Sequence, residues 1–260
     1  MKTLRIATWN MRAAFPKLKG STKTEEMWKW AHKNLAADIY VFTEAKIPES
    51  GIPNGWSAVW VEGGIGGRRP WGTIVASPTL ELRRSEFVSN PDNDPEYEHP
   101  VPATTECVDV VIDGEVWGTV IGVYGFLFDG KSGGDAIVGI SCKIMDAFVA
   151  HDLPLIVAGD FNLHPVNLLE LFDLIPMKDV IAIDGSRKER SDGVGGTRVW
   201  THKNTDDPNK NASVQELDFI FATEDLWEEL INVQAGIEDF PDAWTVSDHA
   251  PVVAEFRIQK

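Results

Sequence analysis

The chain reads as an α/β protein of layered sheets with helices outside, and three observations lead there. Short apolar runs with strand character recur from one end to the other, helical periodicity interrupts them in only a few places, and no repeat, linker or composition break divides the sequence. One domain over residues 1–260 is therefore expected, and 43% hydrophobic residues supply a sizeable core.

Residues 4–9 open the chain as a strand, followed by a polar basic loop ("KLKGSTK"). Residues 24–36 read as a helix with Thr24 as its N-cap, and residues 38–43 form a second strand that ends in Glu44. Strands are further predicted over 56–61, 72–76, 106–112 and 116–124, and Asp113-Gly114 between the last two is a hairpin signal. The sheets are thus partly antiparallel. Ile137, Ile140, Ile144 and Phe148 recur at helical spacing and predict an amphipathic helix over 135–150. It feeds the run "LPLIVAGDFNLHP", whose residues 153–158 carry no charge, as a strand covered on both faces requires. Residues 167–174 look helical, 185–196 ("GSRKERSDGVGG") form a loop, and 214–222 and 250–258 close the chain as strands.

Charge narrows the function. Lys and Arg total 24 against 40 Asp and Glu, a net charge of −16, which repels phosphate at long range. This excludes a high-affinity nucleic-acid scaffold but not an enzyme that touches a phosphate briefly with help from basic patches or metal ions. Cys107 and Cys142 have no spacing that suggests zinc or a redox pair. "MKTLRIATWN" lacks the apolar core of a secretory signal, and no run is long and apolar enough to span a bilayer, so a cytoplasmic, monomeric protein without membrane attachment is expected.

Several strands end in an acid or an amide. Asn10 follows "TW", Glu44 stands in "TEAK", Asp160 and Asn162 in "GDFN", Asp218 in "ELDF", and Asp248 with His249 in "SDHAP". Each taken alone is explained as a turn or cap residue. Together they suit attack of water on a phosphate ester. A hard divalent cation needs only one or two protein carboxylates, a carboxylate can deprotonate water, and a histidine fixed by a second carboxylate can stabilise the pentacovalent phosphate.

In that order, "TWN", "DIYVFTEAK", "GVYG", "GDFN", "LDFIFAT" and "SDHAP" resemble the successive motifs of the endonuclease/exonuclease/phosphatase superfamily. The resemblance implies a four-layered α/β sandwich, two mixed and largely antiparallel sheets packed face to face with helices outside, and metal-dependent phosphoester hydrolysis at one edge. By matching positions it implies that Glu44 and Asn10 bind Mg2+ or Mn2+, with Asp248 near the metal. Asp160 and Asn162 would handle water and phosphate, and Asp218 would pair with His249.

Tyr124, at the leaving-group side, and Lys46, two residues after Glu44, are similar to the exonuclease and apurinic-endonuclease branch. So is the segment "RVWTHKN" around Trp200, a substrate-side aromatic in that branch. Arg12 departs from it. Abasic-site enzymes carry an acidic or amide residue there, whereas some retrotransposon-type nuclease domains carry arginine, and Arg12 could bind a phosphate or pair with a carboxylate. Arg68, Arg69 and Trp71 in "GGRRPWG" could hold a phosphate and stack a base, or be solvated loop residues, while "SRKER" reads as solvated charge. His32, His99, His151 and His202 carry no usable local pattern, and His164 reads as a turn residue.

The expectation is a divalent-metal-dependent phosphodiesterase acting on nucleic acid, DNA before RNA. The alternatives are a phosphatase or phosphodiesterase for a small-molecule or lipid phosphate ester, and a catalytically silent module that keeps the fold.

Overall fold

The computed structural model describes residues 2–12, 22–62, 71–85, 103–125, 153–163, 168, 176–184, 199–204 and 213–258. The predicted helix at 135–150, the loop at 185–196, all of 167–174 except Leu168, and Arg68 and Arg69 lie outside the described residues.

Fourteen strands are described, in chain order β1 (Lys2–Asn10), β2 (Ile39–Ala45), β3 (Ser57–Trp60), β4 (Gly72–Ser77), β5 (Glu81–Arg84), β6 (Thr105–Ile112), β7 (Glu115–Tyr124), β8 (Leu155–Asp160), β9 (Met177–Asp179), β10 (His202–Lys203), β11 (Val214–Gln215), β12 (Asp218–Thr223), β13 (Leu230–Ala235) and β14 (Val252–Ile258). They build one six-stranded sheet in the order β13-β14-β1-β2-β4-β3, a second in the order β5-β6-β7-β8-β12-β9, and the small pair β10-β11. Within the two large sheets β1 and β2 run parallel, as do β7 and β8, and the other pairs are antiparallel.

Alternation along the strands explains the layering. Leu4, Ile6, Ile39, Val41 and Val75 of the first sheet meet Val108, Val110, Val120, Ile156 and Ile220 of the second in one buried core. The opposite face of the first sheet, with Ala7, Trp9, Tyr40 and Phe42, is covered by Met27, Trp28, Ala31 and Leu35 of helix α1 (Thr22–Leu35). On the far face of the second sheet, Ile121, Val123, Val157, Phe219 and Phe221 pack with Phe161 and Leu168. Both faces of the central strands are buried, which is why they read as continuous apolar runs. The result is the expected α/β sandwich.

Three expectations need correction. Helix α1 starts at Thr22, so Thr24 lies inside its first turn and is not the cap. The strand predicted over 214–222 is broken at Glu216 and Leu217, with β11 pairing to β10 and β12 joining the second sheet. Strands β5, β9 and β13 were not anticipated because they lie at sheet edges. Their sequences, such as "ELRR", carry the polar residues that a solvent-facing edge tolerates. The Asp113-Gly114 hairpin is as expected, with φ of 54° and 91° at the two turn residues.

Gly159 lets β7 and β8 close at the end that matters. A Cβ there would stand 1.8 Å from the Val123 carbonyl oxygen, and its φ is 155°. Gly159→Ala should therefore destabilise the protein by about 3 kcal/mol, the upper part of the range for overpacking. Urea unfolding checks this, and an unchanged midpoint would contradict it.

Candidate active site

The parallel pairs β1-β2 and β7-β8 end at the same edge of the sandwich, and strand register lines up the polar residues there. Tyr124 and Asp160 are register partners, as are Asp160 and Asp218, so three adjacent strands of the second sheet present a row. Asp160 and Asp218 share the inward parity of Ile156 with Ala158 and of Ile220 with Ala222. Asn10 likewise follows Leu4 and Ile6 on the inner face of β1. His249 stands just ahead of β14, beside the end of β1.

Glu44 breaks the alternation. Ile39 and Val41 face inward, which would send Glu44 outward with Phe42. The register of β2 against β4 shifts between Phe42 and Ala45, and Glu44 adopts a φ of 44°. This bulge turns its carboxylate into the site, where Oε1 accepts hydrogen bonds from Tyr124 Oη at 2.8 Å and Asn10 Nδ2 at 3.3 Å. Arg12 and Asn162, also at this edge, have positive φ as well, 50° at each.

Asn10 Nδ2 also donates to Asp160 Oδ2 at 2.8 Å, and its Oδ1 accepts the Arg12 backbone N–H at 2.8 Å. Asp160 receives the Asn162 backbone N–H at 2.9 Å and the Asn162 side-chain amide at 3.2 Å. His249 Nδ1 and Asp218 Oδ2 are hydrogen-bonded at 2.8 Å, leaving Nε2 facing Asp160 Oδ2 at 3.9 Å. Ser247 fixes the loop by donating to the Asn10 carbonyl at 2.8 Å and accepting the His249 N–H at 3.2 Å.

Burial shapes the proton affinities. It raises the Asp160 carboxyl to about 7 despite the opposing charge of His249. Burial alone would lower His249, but the charges of Asp218 and Asp160 and the Asp218 hydrogen bond prevail and raise it to about 10. Near neutrality Asp160 can therefore exchange a proton while His249 stays cationic.

The other sequence candidates divide. Arg12 Nη1 pairs with Asp248 Oδ2 at 3.2 Å. Trp71 is buried and meets the Tyr124 ring edge-on at 5.6 Å, which makes it a wall behind the phenol. The Lys46 carbonyl accepts the Trp28 indole N–H at 3.1 Å. Trp200 is half-buried, and its carbonyl accepts the Ile237 N–H at 3.1 Å.

Two site residues escaped the sequence. His202 lies with its ring centre 4.5 Å from that of His249 and its Nε2 3.9 Å from Asp248. Thr201 Oγ1 accepts the backbone N–H groups of Leu217 and Asp218 at 3.0 and 3.1 Å, and its carbonyl accepts that of Ala250 at 2.6 Å. Only the polar run after Trp200 hinted at either.

The donors fit a hard cation. Among the described residues Glu44 Oε2 is buried with no hydrogen-bond partner, an oxygen that could take an ion compensating the acidic cluster. Asp160, Asp218 and His249, and separately His202, Asp248 and His249, also bring ligand atoms within 4.8 Å of one another.

No family model matches the chain, and no curated protein matches it. Solved structures do. A 3′ phosphatase, NExo, from Neisseria, bound to a product DNA hairpin, aligns over 98% of this chain and 100% of its own at 18% identity and a TM-score of 0.65. The AP endonuclease LMAP from Leishmania major aligns over 99% and 89% at 13% identity and a TM-score of 0.67. An endonuclease/exonuclease/phosphatase from Bacteroides vulgatus aligns over the whole of both chains at 16% identity and a TM-score of 0.66. The chain has the fold of the endonuclease/exonuclease/phosphatase proteins.

Because His249 binds its proton more tightly folded than unfolded, its contribution to stability is complete below its ordinary value of 6.5 and is lost as pH rises to about 10. The raised Asp160 carboxyl acts in the same direction at lower pH, its contribution lost between 3.8 and about 7. The stability difference between wild type and His249→Ala, measured by urea unfolding, should therefore shrink as pH rises from about 6.5 to 10. A pH-independent difference would contradict the pairing with Asp218.

Proposed function

We propose that the protein is a divalent-metal-dependent phosphodiesterase that hydrolyses nucleic-acid phosphodiester bonds, DNA before RNA, with water as the nucleophile. The observation that carries this reading is the buried Asp160 carboxylate, which accepts a hydrogen bond from Asn10 at 2.8 Å and faces His249 at 3.9 Å, beside a Glu44 oxygen without a hydrogen-bond partner among the described residues.

Asp160 takes the proton of a water that the Asn162 amide helps to hold. His249, kept cationic by Asp218, stabilises the charge that develops on the phosphate. The Tyr124 phenol stands at the leaving-group side, braced by Trp71 and hydrogen-bonded to Glu44. Glu44, with Asn10, is the place for Mg2+ or Mn2+, which when bound supplies charge neutralisation at the phosphate. Asp248, placed near the metal by its motif, is committed to Arg12.

Nucleic acid is favoured by the aromatic and basic residues on this edge, Trp200, Lys46 and Arg12, and by what the Neisseria and Leishmania proteins are named for. A small or lipid phosphate ester is the second reading, favoured by the net charge of −16. A silent module has no physical reason to keep buried carboxylates clustered at such cost.

Time-resolved cleavage of labelled single-stranded DNA, duplex DNA, abasic duplex and RNA, with Mg2+, Mn2+ or EDTA, tests this. Wild type should cut DNA with metal and not with EDTA, and His249→Ala should lose on the order of 100-fold or more in rate while remaining folded. Hydrolysis of small phosphate esters with all four polymers intact would transfer the site to the second reading.

A further inference from the structure

Glu44, Asn10 and Asp248 are the residues that the sequence motifs assign to the metal, and among the described residues only Glu44 keeps a buried oxygen without a hydrogen-bond partner. The other two are engaged, and Arg12 engages both. Its backbone N–H donates to Asn10 Oδ1 at 2.8 Å, and its guanidinium Nη1 pairs with Asp248 Oδ2 at 3.2 Å. Asn10 Nδ2 donates to Glu44 Oε1 and to Asp160 Oδ2, so the amide turns its donor end, not its oxygen, toward the carboxylates.

Asp248 is held from several sides. Its Oδ1 lies 3.4 Å from the Ser247 hydroxyl, and its backbone carbonyl accepts the Lys203 N–H at 2.9 Å. His202 Nε2 stands 3.9 Å from the same Oδ2 that Arg12 pairs with. Both side chains of the Arg12–Asp248 pair are only 13% exposed, so salt and water screen it little. A carboxylate paired with a guanidinium has its charge compensated, and a divalent ion at that oxygen would stand against a fixed positive group.

We propose that Arg12 withholds Asp248 from the metal, so that Glu44 is the one carboxylate that ligates the divalent ion, and water and the substrate phosphate complete its coordination. Mg2+ suits such a site, because it keeps several waters and binds through one or two carboxylates plus phosphate oxygens. Arg12 is thus a residue that sets metal affinity, and it acts through Asp248. The ion is held weakly in the free protein and firmly only when a phosphate ester joins it. The inference rests on the metal-dependent reading above and says which ligand the chain gives up; it holds for a polymer and for a small ester alike.

Mn2+ uptake followed by EPR tests it without turnover, with the waters on the bound ion counted from line broadening in 17O-labelled water. Arg12→Ala removes the guanidinium and leaves the backbone N–H to Asn10 in place. It should bind Mn2+ on the order of 10-fold more tightly than wild type, with one water fewer, as Asp248 enters the coordination. Adding Asp248→Asn should restore the wild-type water count. Arg12→Gln, which keeps most of the side chain's bulk, should behave as Arg12→Ala does, and thermal melting checks that each variant is folded. Tighter binding with an unchanged water count would mean a relieved repulsion and not a released ligand, and would overturn the proposal. Unchanged binding in both Arg12 variants would overturn it too, while leaving the metal-dependent reading in place. Wild type that takes up no Mn2+ and keeps cleaving in EDTA would overturn both.

Discussion

The 2.8 Å hydrogen bond from Asn10 to Asp160 is where the two sheets meet over the chemistry, and the rest of the site is arranged around it. Asn10 belongs to the first sheet and Asp160 to the second, so the bond holds only if both sheets end at the same height. Two further contacts span the same gap, Tyr124 to Glu44 and His249 to Asp218. Each joins a residue of one sheet's edge to a residue of the other's. The apolar core behind them sets the spacing, because Ile6, Val41, Val120 and Ile156 pack between the sheets directly beneath the polar row. Precision in the site is thus inherited from close packing in the core.

Electrostatics explain why this arrangement is costly and what offsets it. Asp160, Asp218 and His249 are almost wholly buried, and two carboxylates without a cation would repel each other. The His249 imidazolium compensates one side, and the unsatisfied Glu44 oxygen marks where a metal ion would compensate the other. Farther out, Arg12 is matched by Asp248.

Much of this was legible in the sequence because burial on both faces leaves a plain mark. Residues 4–9, 72–76 and 153–158 read as continuous apolar runs, and the acids and amides that ended them were conspicuous. What stayed hidden depended on tertiary context. The inward turn of Glu44 comes from a bulge against β4 that no local pattern announces, and strict alternation would have pointed it outward. His202 looked featureless because its meaning comes from Asp248 and His249, dozens of residues away. Trp71 was legible as a site residue but not as a buried brace, since a tryptophan beside arginines reads equally well as an exposed platform. Edge strands such as β5 and β13 were invisible for the opposite reason, their polar sequences matching loops as well as strands.

The central claim is that Asp160 directs water straight onto the phosphorus, with no covalent link to the protein. The most direct test is cleavage of a phosphorothioate DNA of single configuration in 18O-labelled water, with the product analysed by 31P NMR. The account predicts incorporation of the label with inversion at phosphorus. Retention of configuration would mean that a group on the protein attacks first, and product without label would mean that water does not attack phosphorus; either would contradict it.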